Sequence, residues 1–158
     1  MSHDPPTASA SRVRQVEAIA NGTVIDHIPG DMTLKVAALL ADTTTDQIFI
    51  GVNLRSTRIG RKGVVKISNR EISGKAASCL ALIAPSATIC IIRDYAVVSK
   101  HQIPTPAVFE DVARCANPNC VTNHERWNTR FSVVAQNPLT VRCQYCERSF
   151  DAADLSLL

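Results

Sequence analysis

The chain has 158 residues, 46% hydrophobic and 20% charged, with a formal net charge of +3. This is the composition of a folded protein of one domain or two small ones, and it excludes wholesale disorder. So modest a basic excess, with only 4% aromatic residues, speaks against a nucleic-acid surface made of a dense cationic face or a base-stacking platform. The opening stretch, with Pro5, Pro6, Ser2, Ser9 and Ser11, reads as a flexible arm over residues 1–14. It lacks the basic segment and apolar core of a secretory leader, so the cysteines are expected to stay reduced in a cytoplasmic setting.

From residue 15 the pattern reads strand, helix, strand, strand, helix, strand. A first strand is predicted over 15–20, turning at Asn21-Gly22 and continuing over 23–28 to the break at Pro29-Gly30. A helix follows, with Asp31 as its N-cap and Met32, Val36, Leu39 and Leu40 as one apolar stripe. Strands are predicted over 47–54 and 64–68, with Gly51, Gly60 and Gly63 bending the chain around a basic loop that holds Arg55, Arg58, Arg61 and Lys62. A second helix spans 73–84, stopped by Pro85, and strands over 88–92 and 95–98 join at Arg93-Asp94. The apolar run 76–92 is interrupted by Ser78, Pro85, Ser86 and Thr88, so no membrane span is expected. The order is that of a split βαβ, ferredoxin-like unit over 15–100, an α+β antiparallel sheet with both helices on one face. The other face is left free for a ligand or a second copy of the chain.

Residues 101–106 carry Pro104 and Pro106 and read as an extended linker. Beyond it, over 107–158, a small all-β domain is expected around two cysteine pairs, Cys115 with Cys120 and Cys143 with Cys146. Four thiolates at this spacing form a closed tetrahedral site for one structural Zn2+ with no open position for substrate, which points to binding rather than catalysis. A disulfide framework is the competing reading, and His124 is a substitute ligand, although four cysteines complete the shell without it. Roughly fifty residues bury too little surface to be secure alone, and a metal supplies the difference. Cys79 and Cys90, outside the metal set, read as small buried hydrophobes.

With these parts in place the sequence closely resembles the regulatory chains of aspartate carbamoyltransferase. The resemblance rests on Val16-Glu17-Ala18-Ile19, on the run from Gly22 to Pro29, on Ile50-Gly51-Val52-Asn53-Leu54, and on Gly60-Arg61-Lys62 with Val65-Lys66-Ile67. It continues through Ala84-Pro85, Ala87-Thr88, Tyr95, Val97-Val98 and Lys100, and the cysteine set with Asn117, Asn119, Tyr145 and Glu147. The resemblance implies a non-catalytic subunit of pyrimidine biosynthesis, with a nucleotide-binding allosteric domain and a zinc domain docked on the catalytic chain. It implies CTP as inhibitor and ATP as activator, with UTP a further nucleotide, and a regulatory dimer. The implied nucleotide site has Lys100, His27 and Lys62 at the phosphates, Lys66 beside the ribose and base, Asp26 on a ribose hydroxyl, and Ala18, Ile19, Ile92, Tyr95 and Val97 around the base. Asn117, Asn119 and Glu147 would face the catalytic chain. The chain departs from the family's best-known members at Cys90, where they carry Asn, and at Arg58, where they carry an acidic residue. The competing function is a zinc-ribbon nucleic-acid binder, which the metal motif alone would allow. An enzyme acting on nucleotides would need a general base, for which His27 is the only candidate, and it would lack a matched acid.

Overall fold

The computed structural model describes residues 17–41, 46–72 and 74–158; the expected N-terminal arm, Gln15 and Val16 of the expected first strand, and Ser73 of the expected second helix lie outside them. Strand β1 (Gly22–Ile28) leads through a 3-10 turn (Gly30–Met32) into helix α1 (Thr33–Ala41). Strands β2 (Ile48–Ser56) and β3 (Gly60–Ser68), helix α2 (Gly74–Ile83), and strands β4 (Thr88–Arg93) and β5 (Ala96–Gln102) follow. They form one five-stranded antiparallel sheet in the order β2-β3-β1-β4-β5, which is the split βαβ path with β5 added as a hairpin at the edge.

Helix α1 buries Thr33, Val36, Ala37 and Leu40, the positions i, i+3, i+4 and i+7 of one helical face. It packs on α2 and β3, and Ile25, Val65, Ile67 and Ile89 alternate out of the sheet into the same core. The opposite alternation, Val24, Phe49, Cys90 and Ile92 with Ile19, makes a second, separate cluster on the face without helices. Period-two alternation thus divides each strand between a packed face and an open one. Gly63 is required inside β3 because a Cβ there would run into the Thr33 side chain where α1 begins.

The remaining chain is all strand and turn: β6 (Val108–Glu110), β7 (Ala113–Arg114), β8 (Arg130–Gln136), β9 (Leu139–Cys143), β10 (Ser149–Asp151) and β11 (Ser156–Leu157). A four-stranded sheet runs β10-β9-β8-β6, and β7 pairs with β11. Phe109, Phe131, Val112 and Val141 are fully buried here, in a core continuous with that of the first unit. The 3-10 turn Ala152–Asp154 packs on α2, which explains why the end of α2, Cys79 to Ile83, is buried all round. No helix among the described residues is long and apolar enough to cross a membrane.

Four expectations are corrected. The described part of the expected first strand, Glu17–Ala20, is not strand and bends across the sheet. Asp31 does not cap α1 but lies within the 3-10 turn, where Pro29 holds the capping position and no side chain caps the turn. The basic loop is largely a hairpin, since Arg55 belongs to β2 and Arg61 and Lys62 to β3. Two residues of the expected linker, His101 and Gln102, continue β5.

Candidate functional site

The register of the sheet builds a site on the open face. Phe49, Lys66, Val24, Cys90 and Lys100 pair in succession across β2, β3, β1, β4 and β5. A strip of apolar surface and one thiol therefore lies between two lysines. Two residues along each strand the same face changes character. Toward the β4–β5 turn it presents Ile92 opposite Val97, and toward the β2–β3 turn it presents Asp26 and then Lys62 opposite Leu54.

All of these residues except Phe49 line a pocket of about 670 Å³ together with Ala18, Ile19, Arg55, Val64 and Tyr95. Of the nucleotide-site residues named from the sequence, Ala18, Ile19, Asp26, Lys62, Lys66, Ile92, Tyr95, Val97 and Lys100 meet in it. His27 does not line it; its ring is largely buried, with Nδ1 3.6 Å from the Asp26 carboxylate and otherwise without a hydrogen-bond partner among the described residues. Val24, Leu54, Arg55, Val64 and Cys90 belong to the pocket without having been named for it. Alternation with Asp26, Lys62, Lys66 and Ile92 is the signal that finds Val24, Val64 and Cys90.

The apolar end is held by its turn. Asp94 and Tyr95 both have positive φ, 50° and 62°, the left-handed pair that a two-residue hairpin needs, which Asp adopts readily and a bulky residue such as Tyr does not. Tyr95 N–H donates to the Ala20 carbonyl at 2.9 Å and Asp94 N–H to the Asn21 side-chain oxygen at 3.2 Å. Lys66 Nζ donates to the Glu17 carbonyl at 2.7 Å. The bent segment Glu17–Asn21 is thereby tied at both ends over the apolar end of the pocket.

The polar end is organised around Asp26. Lys62 Nζ lies 2.7 Å from Oδ1 and 2.9 Å from Oδ2, and the His27 N–H donates to Oδ1 at 2.7 Å. Burial pushes the Asp26 carboxyl up, but the Lys62 and His27 hydrogen bonds together outweigh it and leave its pKa below the usual carboxylate value. A carboxylate has about four acceptor sites, so these three contacts leave room for one more donor. Burial lowers the His27 pKa, Asp26 opposes that, and the positive charges of Lys62, Arg58 and Lys100 add to it. His27 is therefore set to be neutral. Burial likewise raises the Cys90 thiol pKa, so at neutral pH this thiol adds no charge to the pocket. The net character is an apolar end, a cationic end and one ionised carboxylate between them.

The metal segment gathers all four predicted cysteines. Cys115 follows β7, Cys120 precedes a 3-10 turn (Val121–Asn123), Cys143 ends β9 and Cys146 lies in the turn before β10. Their sulfurs lie within 4.8 Å of one another, with Cys115–Cys146 at 3.6 Å and Cys120–Cys143 at 3.8 Å. A disulfide would need about 2.05 Å, whereas zinc at about 2.3 Å from each of four tetrahedral sulfurs spaces them about 3.8 Å apart. The donor set fits a closed metal site, and the disulfide reading fails on distance. His124 is no ligand here, since its Nε2 is hydrogen-bonded to the Pro118 carbonyl at 2.7 Å and it is not part of the cluster.

The sulfurs receive backbone N–H groups from Asn117, Tyr145, Cys146 and Arg148, as well as the Asn117 side chain. Burial raises the Cys115 and Cys143 thiols. It also opposes ionisation of Cys146, but the Arg148 N–H and the Asn117 amide prevail and lower that thiol to about 7. Asn123, which sequence reasoning missed, donates to the carbonyls of Cys115 and Asn117 at 2.9 and 2.8 Å and braces the first turn. Of the three residues expected to face a partner, Asn119 and Glu147 are exposed. Asn117 is buried, with its Oδ1 on the Asn119 N–H at 3.2 Å, and it serves the turn from within.

Two family models match the chain. That for the allosteric domain of the aspartate carbamoyltransferase regulatory chain covers residues 14–104, and that for the metal-binding domain of the same chain covers residues 107–156. The chain is similar to the regulatory chain of Pyrococcus abyssi, 44% identical over 144 residues, which are 89% of this chain and 95% of the relative. The chains of Porphyromonas gingivalis (46% over 144 residues, 90% and 95%) and Thermococcus gammatolerans (42% over 143 residues, 89% and 95%) are comparable. All three relatives carry the name of a regulatory chain, in keeping with a closed metal site and an expected binding role. From the open-face pocket, the four-thiol centre and these matches together, we conclude that the chain belongs to the aspartate carbamoyltransferase regulatory chain family.

Proposed function

We propose that this protein is a non-catalytic allosteric subunit of aspartate carbamoyltransferase in cytoplasmic pyrimidine biosynthesis, binding CTP as inhibitor and ATP as activator in the open-face pocket. The observation that carries the reading is the polarity of that pocket: an apolar wall of Ile19, Ile92 and Val97 at one end and Lys62, Lys66 and Lys100 toward the other. A nucleoside triphosphate has the same polarity, a flat base at one end and several negative charges at the other. Asp26, ionised and with one acceptor site to spare, would take a ribose hydroxyl, and Lys100, whose side chain has no hydrogen bond or ion pair among the described residues, is available to phosphate. UTP would use the same contacts.

In this reading one structural Zn2+ is held by Cys115, Cys120, Cys143 and Cys146, and its chemistry is to fix the two turns rather than to react. Rigid turns present side chains with little entropy to lose, so Asn119 and Glu147 would contact the catalytic chain while Asn117 keeps their turn in shape. The domain division follows: a nucleotide domain over 15–100, a junction over 101–106 and a docking domain over 107–158. The apolar edge strand β2, with Ile50 and Val52 exposed, would pair with a second regulatory chain. Calorimetric titration of the purified chain with CTP and ATP tests the pocket. Absence of binding by both nucleotides would refute the reading.

A further inference from the structure

The β2–β3 hairpin carries a charge arrangement that folding alone does not explain. Arg55 pairs directly with Arg61 across the two strands, and like charges set opposite each other destabilise a ladder. Arg58 adds a third arginine in the connecting turn. Arg61 donates to the Asn53 carbonyl at 3.1 Å, while Arg55, exposed, makes no hydrogen bond or ion pair among the described residues. Arg55 nevertheless lines the same pocket as Lys62, Lys66 and Lys100. Asp26 is the one acidic residue among the described residues that line the pocket, and Lys62 already neutralises it.

The positions of these cations along the strands are ordered. Lys66 and Lys100 share the row nearest the apolar wall. Lys62 lies four residues back along β3, roughly 13 Å at the strand rise, and Arg55 pairs one step beyond it, at Arg61. A ligand with its apolar part at the wall meets Arg55 last. Arg55, whose side chain has no partner among the described residues, is thus placed to meet the far end of an anionic tail.

We propose that Arg55 binds the outermost phosphate of a nucleoside triphosphate, and so determines how strongly the pocket prefers tri- over di- and monophosphates. This rests on the nucleotide reading above and assigns a residue that reading did not use. Arg55 is a specificity residue for chain length, and the opposed Arg61 holds the local potential positive until the polyanion arrives.

The test is calorimetric titration of the full chain, wild type, Arg55→Ala and Arg55→Lys, with CTP, CDP and CMP. In Arg55→Ala, CTP affinity should fall about tenfold, the scale of one charge-assisted contact, and CMP affinity should change less than about twofold on the same reasoning. Arg55→Lys should recover most of the loss for CTP. Thermal unfolding without nucleotide should not fall in Arg55→Ala, since the substitution removes a like-charge pair. Equal losses for all three nucleotides, or an unchanged CTP-to-CMP ratio, would overturn the assignment while leaving the nucleotide pocket standing. If wild-type chain binds none of the three, the pocket reading itself fails and the role of Arg55 with it.

Discussion

Removing the metal should unfold the C-terminal segment while leaving the N-terminal sheet intact. Apparent zinc-binding energies in small closed sites are about 10 kcal/mol or more, comparable with the whole stability of a typical domain, about 5–15 kcal/mol. The sulfurs of Cys115 and Cys120 come from one end of the segment and those of Cys143 and Cys146 from the other, so without the ion they no longer hold β7 and β9 together. What remains is a small core around Phe109, Phe131, Val112 and Val141. The N-terminal sheet keeps Ile25, Ile28, Val36, Leu40, Val65 and Ile67 fully buried with no metal contact. Within the N-terminal unit the loss should be felt most at the end of α2, which leans on Ala152–Asp154. Hydrogen exchange before and after chelation measures this, with thiol labelling in parallel. Amides of β8 and β9 should lose protection, those of β1, β3 and β4 should keep it, and the four metal-site thiols should become reactive. Uniform loss across both units, or unchanged protection in β8 and β9, would show that the metal does not hold this segment together.

Further predictions follow from the pocket and the turns. Lys66→Ala and Lys100→Ala should each weaken CTP and ATP by about tenfold or more, the value of one charge-assisted contact, read by calorimetry; wild-type affinity in both variants would remove the site. His27 has its pKa lowered below 6.5 in the folded chain, so the unfolded chain binds the proton more readily and stability should drop as pH falls through that range. His27→Gln should flatten the slope of denaturant stability between pH 7 and 5. The Asp26 pKa lies below 3.8, so the stability from its Lys62 contact is present above that pH and is lost as pH falls through the lowered folded value; Asp26→Asn should remove this acid limb. Asn117→Ala should weaken metal binding by about 10- to 100-fold, as loss of a group supporting the ligands does. Asn119→Ala and Glu147→Ala should instead loosen assembly with the catalytic chain at unchanged metal content, which sedimentation with metal analysis would separate.

Much of this architecture was legible because it depends on period and spacing. The helical stripe with Val36 and Leu40, the strand alternation and the cysteine pairs each state their geometry in the residue order. The failures are places where tertiary contact overrides local preference. Glu17–Ala20 alternates as a strand would, yet it bends, because Lys66 holds the Glu17 carbonyl and Tyr95 the Ala20 carbonyl. Gly63 looks like a turn residue, and it is a strand residue kept small by Thr33. Asn117 suits an exposed turn by type and is instead turned inward onto the sulfurs. Arg55 was visible as part of a basic cluster, but only the folded hairpin brings it to the lining of the pocket.

In the proposed function, a nucleotide bound on the open face changes the activity of a catalytic chain docked through the metal segment. This is tested most directly by purifying this chain with an aspartate carbamoyltransferase catalytic chain and recording aspartate saturation with and without CTP. The complex should have a saturation curve that shifts with CTP, on the scale of about 1–3 kcal/mol usual for allosteric coupling, and should lose that shift in Lys100→Ala. A complex that forms and saturates identically with and without CTP, while the free chain still binds CTP, would contradict the proposed function.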